Sequence, residues 1–147
     1  MRILAIALAL FIGLSPDLSA KDDPTRTIKV FKSSECSCCK RWVKYLESKN
    51  YNVTVVNTRN VLAEKARLGV PPEAAACHTA EIDGYVVEGH VTDRDIQRML
   101  LFRPKIIGIA VPGMPIGTPG MEDGDTRVPH NVLSFDKDGK IEVFKKH

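Results

Sequence analysis

Residues 27–33 of the chain, TIKVFKS, alternate apolar and polar positions and carry β-branched side chains, which predicts a strand with one face turned inward. From Cys39 to Asn50 the period changes. Trp42, Val43, Tyr45 and Leu46 recur at helical spacing with lysines and Arg41 on the other face, and Ser34 or Ser37 stands where a cap belongs. YNVTVVN, residues 51–57, returns to a strand pattern, and NVLAEKARLGV, residues 60–70, predicts a helix closed by Gly69 with Pro71 and Pro72 beyond it. Strand, helix, strand, helix implies an α/β unit with a parallel pair and a crossover helix.

Farther on, Asp83-Gly84 separates two short alternating runs and marks a tight hairpin. Thr92 is placed to cap the next helix, with Asp95 three residues on and Ile96, Met99 and Leu100 forming one apolar face. Met99, on that face, is expected in the core rather than at a metal. From Pro104 proline and glycine become frequent, and regular helix is not expected after the short apolar run IIGIAV. NVLSFDKDGKIEVFKK closes the chain as a second hairpin turning at Asp138-Gly139. The expected organisation is one domain over residues 21–103, with residues 104–147 forming a Gly/Pro/Met-rich loop and a β-hairpin extension packed on it.

The first twenty residues stand apart. Arg2, an apolar run from Ile3 to Leu14, then Pro16 and small residues to Ala20 have the layout of a secretory signal peptide, too short to span a bilayer. The expected mature chain begins at Lys21 and is exported and soluble, with no membrane association after signal removal. Its removal takes away one basic and one acidic residue, so the net charge stays at +3, too mild to indicate an acidic partner. Basic residues are not interleaved with aromatics, and nucleic-acid binding is not expected. A mature chain of this length buries a core without disulfide staples, so its cysteines point to chemistry.

Three of the four cysteines, Cys36, Cys38 and Cys39, fall within SSECSCCKRW, where the first strand gives way to the first helix. A helix N-terminus stabilises thiolate, the form that attacks disulfides and the form that binds metals, so position alone leaves both chemistries open. A redox pair needs two sulfurs, and with Cys77 the chain offers four. Soft thiolate and thioether ligands select Cu(I), and sulfur can bridge several ions. Structural zinc usually takes two separated ligand pairs, a pattern from which this three-plus-one division departs. Three readings remain: a copper-type soft-metal site, a thiol-disulfide oxidoreductase using Cys36 and Cys39, and a zinc-stabilised non-catalytic module or plain disulfides. A conventional hydrolase or transferase has no support.

Met114 in PGMPIG and Met121 in PGMED lie in a loop that gives them no helical core face, which makes them candidate thioether ligands or a lid. His78, next to Cys77, is the histidine best placed to approach a metal; His90 and His130 are secondary candidates. His147 is terminal and expected to be free.

The organisation of residues 27–103 resembles the thioredoxin-like fold, glutaredoxins especially. In that fold a cis-proline segment before the hairpin lies against the cysteine motif, and here Cys77 and His78 stand near its place. The resemblance implies that Cys77 meets Cys36, Cys38 and Cys39, and that conventional dithiol exchange is disfavoured. With CSCC, ACHTA, YVVEGHV and VPGMPIGTPGME in this order behind a signal-like segment, the chain resembles the periplasmic CopG-type copper-resistance proteins. That likeness, over essentially the whole mature chain, implies a thioredoxin-like domain binding several copper ions through Cys36, Cys38, Cys39 and Cys77, with a part in Cu(I)/Cu(II) conversion. Copper ions, and other periplasmic copper-handling proteins, are the partners it implies.

Overall fold

The computed structural model describes residues 26–147, so the signal-like segment 1–20 and the expected start at Lys21 lie outside the described residues. Three helices and seven strands follow in the order β1 (Thr27–Lys32), α1 (Ser37–Ser48), β2 (Asn52–Asn57), α2 (Val61–Arg67), β3 (Thr79–Ile82), β4 (Tyr85–Gly89), α3 (Asp93–Phe102), β5 (Gly108–Val111), β6 (Asn131–Phe135) and β7 (Ile141–Lys146). A single 3₁₀ turn, Pro72–Ala74, joins α2 to β3. The fold is mixed α/β. One sheet runs β2-β1-β3-β4-β5-β6-β7, with β1/β2 and β4/β5 parallel and the other neighbours antiparallel. The expected parallel pair with its crossover helix is therefore β1-α1-β2.

Alternation along the central strands feeds two cores. Tyr85 and Val87 of β4, with Ile109 and Val111 of β5, join Trp42 and Leu46 of α1 and Ile96 and Met99 of α3 on one face. Val86 and Ala110, one residue out of phase, meet Val70, Ala74 and Phe135 on the other. Met99 is fully buried, as expected for a core position. Each fully buried large side chain of this kind contributes about 1.5–3 kcal/mol relative to exposure.

The helix caps divide between expected and unexpected. Thr92 caps α3, its side chain accepting from the Asp95 amide. Gly69 follows the end of α2 with φ +73, as a C-terminal glycine should. At α1, however, neither Ser34 nor Ser37 is the cap: Cys36 is, its sulfur accepting from the Cys39 amide at 3.3 Å. The chain turns into the helix at Cys36, so the residue with the chemistry also satisfies an orphan donor.

Both Asp-Gly hairpins form. Asp83 and Gly84 take φ of +46 and +81, the pair of positive values that a two-residue turn between twisted strands requires. The second connects Phe135 to Ile141 by a longer loop, in which Asp136 accepts from the amides of Asp138 and Lys140.

The sequence pattern misses β5. It lies at the end of the short apolar run IIGIAV, and a Cβ on Gly108 would stand 2.2 Å from the Val86 carbonyl oxygen, so glycine is what lets β5 pair with β4. His147 also departs from expectation. It is not free, because its Nε2 donates to the buried carboxylate of Asp95 at 2.9 Å and its ring stacks on His130 at 5.2 Å. Among the described residues no helix is long and apolar enough to cross a membrane.

Candidate metal centre

The loop from β1 into α1 delivers three cysteines to one end of the sheet, and the segment before β3 delivers the fourth. Cys36 and Cys39, at the cap and third position of α1, are joined by a disulfide. Cys38 and Cys77 are free thiols. The Cys38 sulfur lies 3.4 Å from that of Cys36, 3.8 Å from that of Cys77 and 3.9 Å from the Met114 thioether. Thirty-nine residues separate Cys38 from Cys77; the antiparallel pairing of β1 with β3 brings them together.

Behind Cys77 stand two buried histidines. His90 Nε2 is 3.2 Å and His78 Nδ1 3.3 Å from its sulfur. His90 Nδ1 donates to the Pro119 carbonyl at 2.8 Å; a carbonyl can only accept, so in the neutral ring Nε2 carries the lone pair and presents it to Cys77. His78 rests 4.4 Å from the Trp42 ring and 5.0 Å from that of His90, and its buried Nε2 has no hydrogen-bond partner among the described residues. Burial, reinforced by His90 and Lys65, holds His78 well below the usual histidine range. Burial likewise lowers His90, so both rings are neutral near pH 7. Burial first, then neighbouring Cys38, pushes the Cys77 thiol up to about 12.

Two ligand groups result, each with its ligand atoms within 4.8 Å of one another: Cys36, Cys38, Cys39 and Cys77, and Cys77, His78 and His90. Cys77 belongs to both. Sulfur and neutral imidazole without saturated hydrogen bonding are a donor set that suits soft and borderline metal ions, and the residues present fit such an ion.

The Pro/Gly loop after β5 covers this end of the molecule. Gly113 donates to the Ala75 carbonyl at 3.4 Å and bridges Ala76, which ties Met114 to the segment carrying Cys77. Arg41 Nε donates to the Gly120 carbonyl at 2.8 Å. Gly120 lies so close to α1 that a Cβ would stand 2.8 Å from both the Cys38 carbonyl oxygen and the Trp42 nitrogen. Met114 is half exposed at the mouth of the site. Met121 contributes backbone bonds to Gly117 and Thr118, and no contact of its sulfur with the cysteines is found among the described residues. His130 stands with His147 away from the cysteines and belongs to neither ligand group.

Sequence reasoning missed Lys65 and Glu88. Their side chains form an ion pair, both almost wholly buried, and the same Glu88 oxygen accepts from the Ala76 amide at 2.6 Å, one residue before Cys77. Burial raises Glu88, and the Lys65 ammonium opposes that rise. A glutamate inside the otherwise uncharged YVVEG was the available signal.

Fold and site together define a mixed α/β protein with a four-cysteine, two-histidine cluster able to hold metal. A family described as "Protein of unknown function, DUF411" matches residues 74–121, the stretch carrying Cys77, His78, His90, Met114 and Met121. No curated protein matches the chain. Two solved structures, of copper resistance protein CopG in Form 1 and in Form 2, are each 42% identical with a TM-score of 0.78, and cover 82% of this chain and 96% and 97% of their own. The chain belongs to the CopG family of copper-resistance proteins.

Proposed function

We propose that this is an exported, periplasmic copper-binding protein for copper resistance, holding several Cu(I) ions in a site bridged by Cys36, Cys38, Cys39 and Cys77. The observation that carries the reading is the gathering of all four sulfurs within 4.8 Å of one another from two distant parts of the chain. Thiolates bridge soft ions, so four cysteine sulfurs gathered this closely, once the Cys36–Cys39 disulfide is reduced, suit a multinuclear arrangement better than a single zinc. His78 and His90 adjoin the cluster through Cys77, Met114 covers its mouth, and Met121 and His130 act outside it. The site would also interconvert Cu(I) and Cu(II). Residues 1–20 would direct export. The order β2-β1-β3-β4, with cysteines between β1 and α1, supports a thioredoxin-like unit over 21–103 that residues 104–147 extend.

Titration of the anaerobic, fully reduced protein with Cu(I), counting ions bound per chain against free thiols, tests this. More than one ion per chain is expected, falling when Cys38 or Cys77 becomes Ser. One observation favours a second reading: the Cys36–Cys39 disulfide at a helix N-terminus is the arrangement of a dithiol oxidoreductase. If Cys38→Ser leaves copper binding intact while the protein reduces disulfide substrates, that second reading replaces the first.

A further inference from the structure

The Cys36–Cys39 disulfide removes two sulfurs from the cluster and leaves two. What remains is not an arbitrary remnant. The Cys38 sulfur is flanked by the Cys77 sulfur at 3.8 Å and the Met114 thioether at 3.9 Å. Two sulfurs sharing one ion through bonds of about 2.3 Å stand roughly 3.8 Å apart at a tetrahedral angle and about 4.6 Å apart in a line. Both separations fall at the start of that range. A Cys38–Cys77 disulfide would need the sulfurs at about 2.05 Å, far closer than they are, and would leave the thioether with no role.

The surroundings hold this remainder in place independently of Cys36 and Cys39. Gly113 bonds the Ala75 carbonyl and sets Met114 beside the segment carrying Cys77. His90, fixed by the Pro119 carbonyl, aims Nε2 at the Cys77 sulfur. Glu88 holds the Ala76 amide. All of these contacts are present with the disulfide closed.

We propose that Cys38, Cys77 and Met114 form a site for a single soft monovalent cation that persists when Cys36 and Cys39 are joined as a disulfide, with His90 as a positioning residue for Cys77. The protein then holds metal in both states of its cysteines, in different amounts. Opening the disulfide takes two electrons and two protons from an external dithiol reductant, which leaves as its own cyclic disulfide; the Cys36–Cys39 S–S bond breaks and two thiols return, which adds two sulfurs to a site already in place. This rests on the reading of the cluster as a metal site.

Silver(I) is the probe, because it is soft and monovalent and is not reduced by thiols under these conditions. The protein carrying the Cys36–Cys39 disulfide, verified by two alkylatable thiols per chain, is titrated anaerobically with Ag(I) and followed by native mass spectrometry. One ion per chain is expected, against more than one for the reduced and desalted protein. The double variant Cys36→Ser/Cys39→Ser is expected to keep that one ion, and Cys77→Ser or Met114→Ala to lose it under competition that the parent withstands. His90→Phe, which spares all three sulfurs, is expected to weaken it by about ten- to a hundredfold, the usual effect of removing a group that orients a ligand. An oxidised protein that binds no Ag(I) while the reduced one does overturns this proposal and leaves the copper reading standing; no binding in either state overturns both. Loss of the ion from the double variant, or an oxidised protein in which Cys38 and Cys77 have closed a second disulfide, also overturns it.

Discussion

Cys36 and Cys39 form a pair made by local structure; Cys38 and Cys77 form one made by the whole fold. The first needs only the start of α1, where the cap and the third helical residue face each other and the Cys36 sulfur accepts the Cys39 amide. The second spans thirty-nine residues and depends on β1 pairing with β3, on the Lys65–Glu88 pair that fixes the chain before Cys77, and on the loop that brings Met114 in. One pair is closed as a disulfide and the other is open, although all four sulfurs share one small volume. Proximity alone does not make a disulfide. Where the backbone on both sides is held by independent contacts, sulfurs can rest at a spacing suited to a shared ion.

The largest effect expected on this contrast comes from Cys77→Ser. It removes the sulfur common to both ligand groups, and Cu(I) affinity in chelator competition is expected to drop by more than about a hundredfold while circular dichroism stays unchanged. Retention of parental affinity would mean that the long-range pair is not part of the site. Next comes Lys65→Met, which leaves the Glu88 carboxylate buried without its cation and should cost ~3–5 kcal/mol in urea unfolding. In the same variant the Cys36–Cys39 disulfide should still form, because α1 builds it alone. A joint loss of both pairs would erase the distinction.

Gly120→Ala is expected to cost ~1–3 kcal/mol, since its φ of +85 disfavours a side chain and the new methyl meets the α1 backbone at Cys38 and Trp42. It should also loosen the Met114 loop and speed alkylation of Cys38. A smaller effect concerns pH. Burial depresses His78 and His90 in the folded chain, so below about pH 6.5 the unfolded chain takes up protons that the folded one refuses. Stability of the metal-free protein should therefore fall as pH drops below that value, by at most ~1.4 kcal/mol per pH unit for each histidine. A urea midpoint unchanged between pH 7.5 and 5.5 would contradict neutral burial of these rings. Smallest of all on the fold is Met114→Ala: the side chain is half exposed, and its loss should shift stability by less than about 0.5 kcal/mol while weakening metal retention.

Much of the architecture was legible along the chain because its signals are local. Periodicity marked β1 to β4 and all three helices, Thr92 its cap, and Asp83-Gly84 its hairpin. β5 was hidden because a short apolar run does not tell strand from loop by itself, and only Val86 across from Gly108 shows the close strand approach. The histidines divide the same way. His78 and His130 each bury a ring nitrogen without a partner among the described residues, yet one faces a thiol and the other stacks on His147. Residue type did not separate them; neighbours did. Lys65 and Glu88 show the limit most plainly, since neither signals the other across twenty-three residues.

Local pattern was enough for the helix that receives the cysteines, the crowding of three thiols at its start, and a soft donor chemistry, because caps, periods and ligand type are properties of neighbouring residues. It took the folded chain to bring Cys77 to the other three cysteines, to set Cys38 against Cys77 and Met114 while Cys36 and Cys39 join, and to place His90 behind the open pair. Those are distances between segments far apart in the chain, and they are set when the sheet pairs and the cores on its two faces pack.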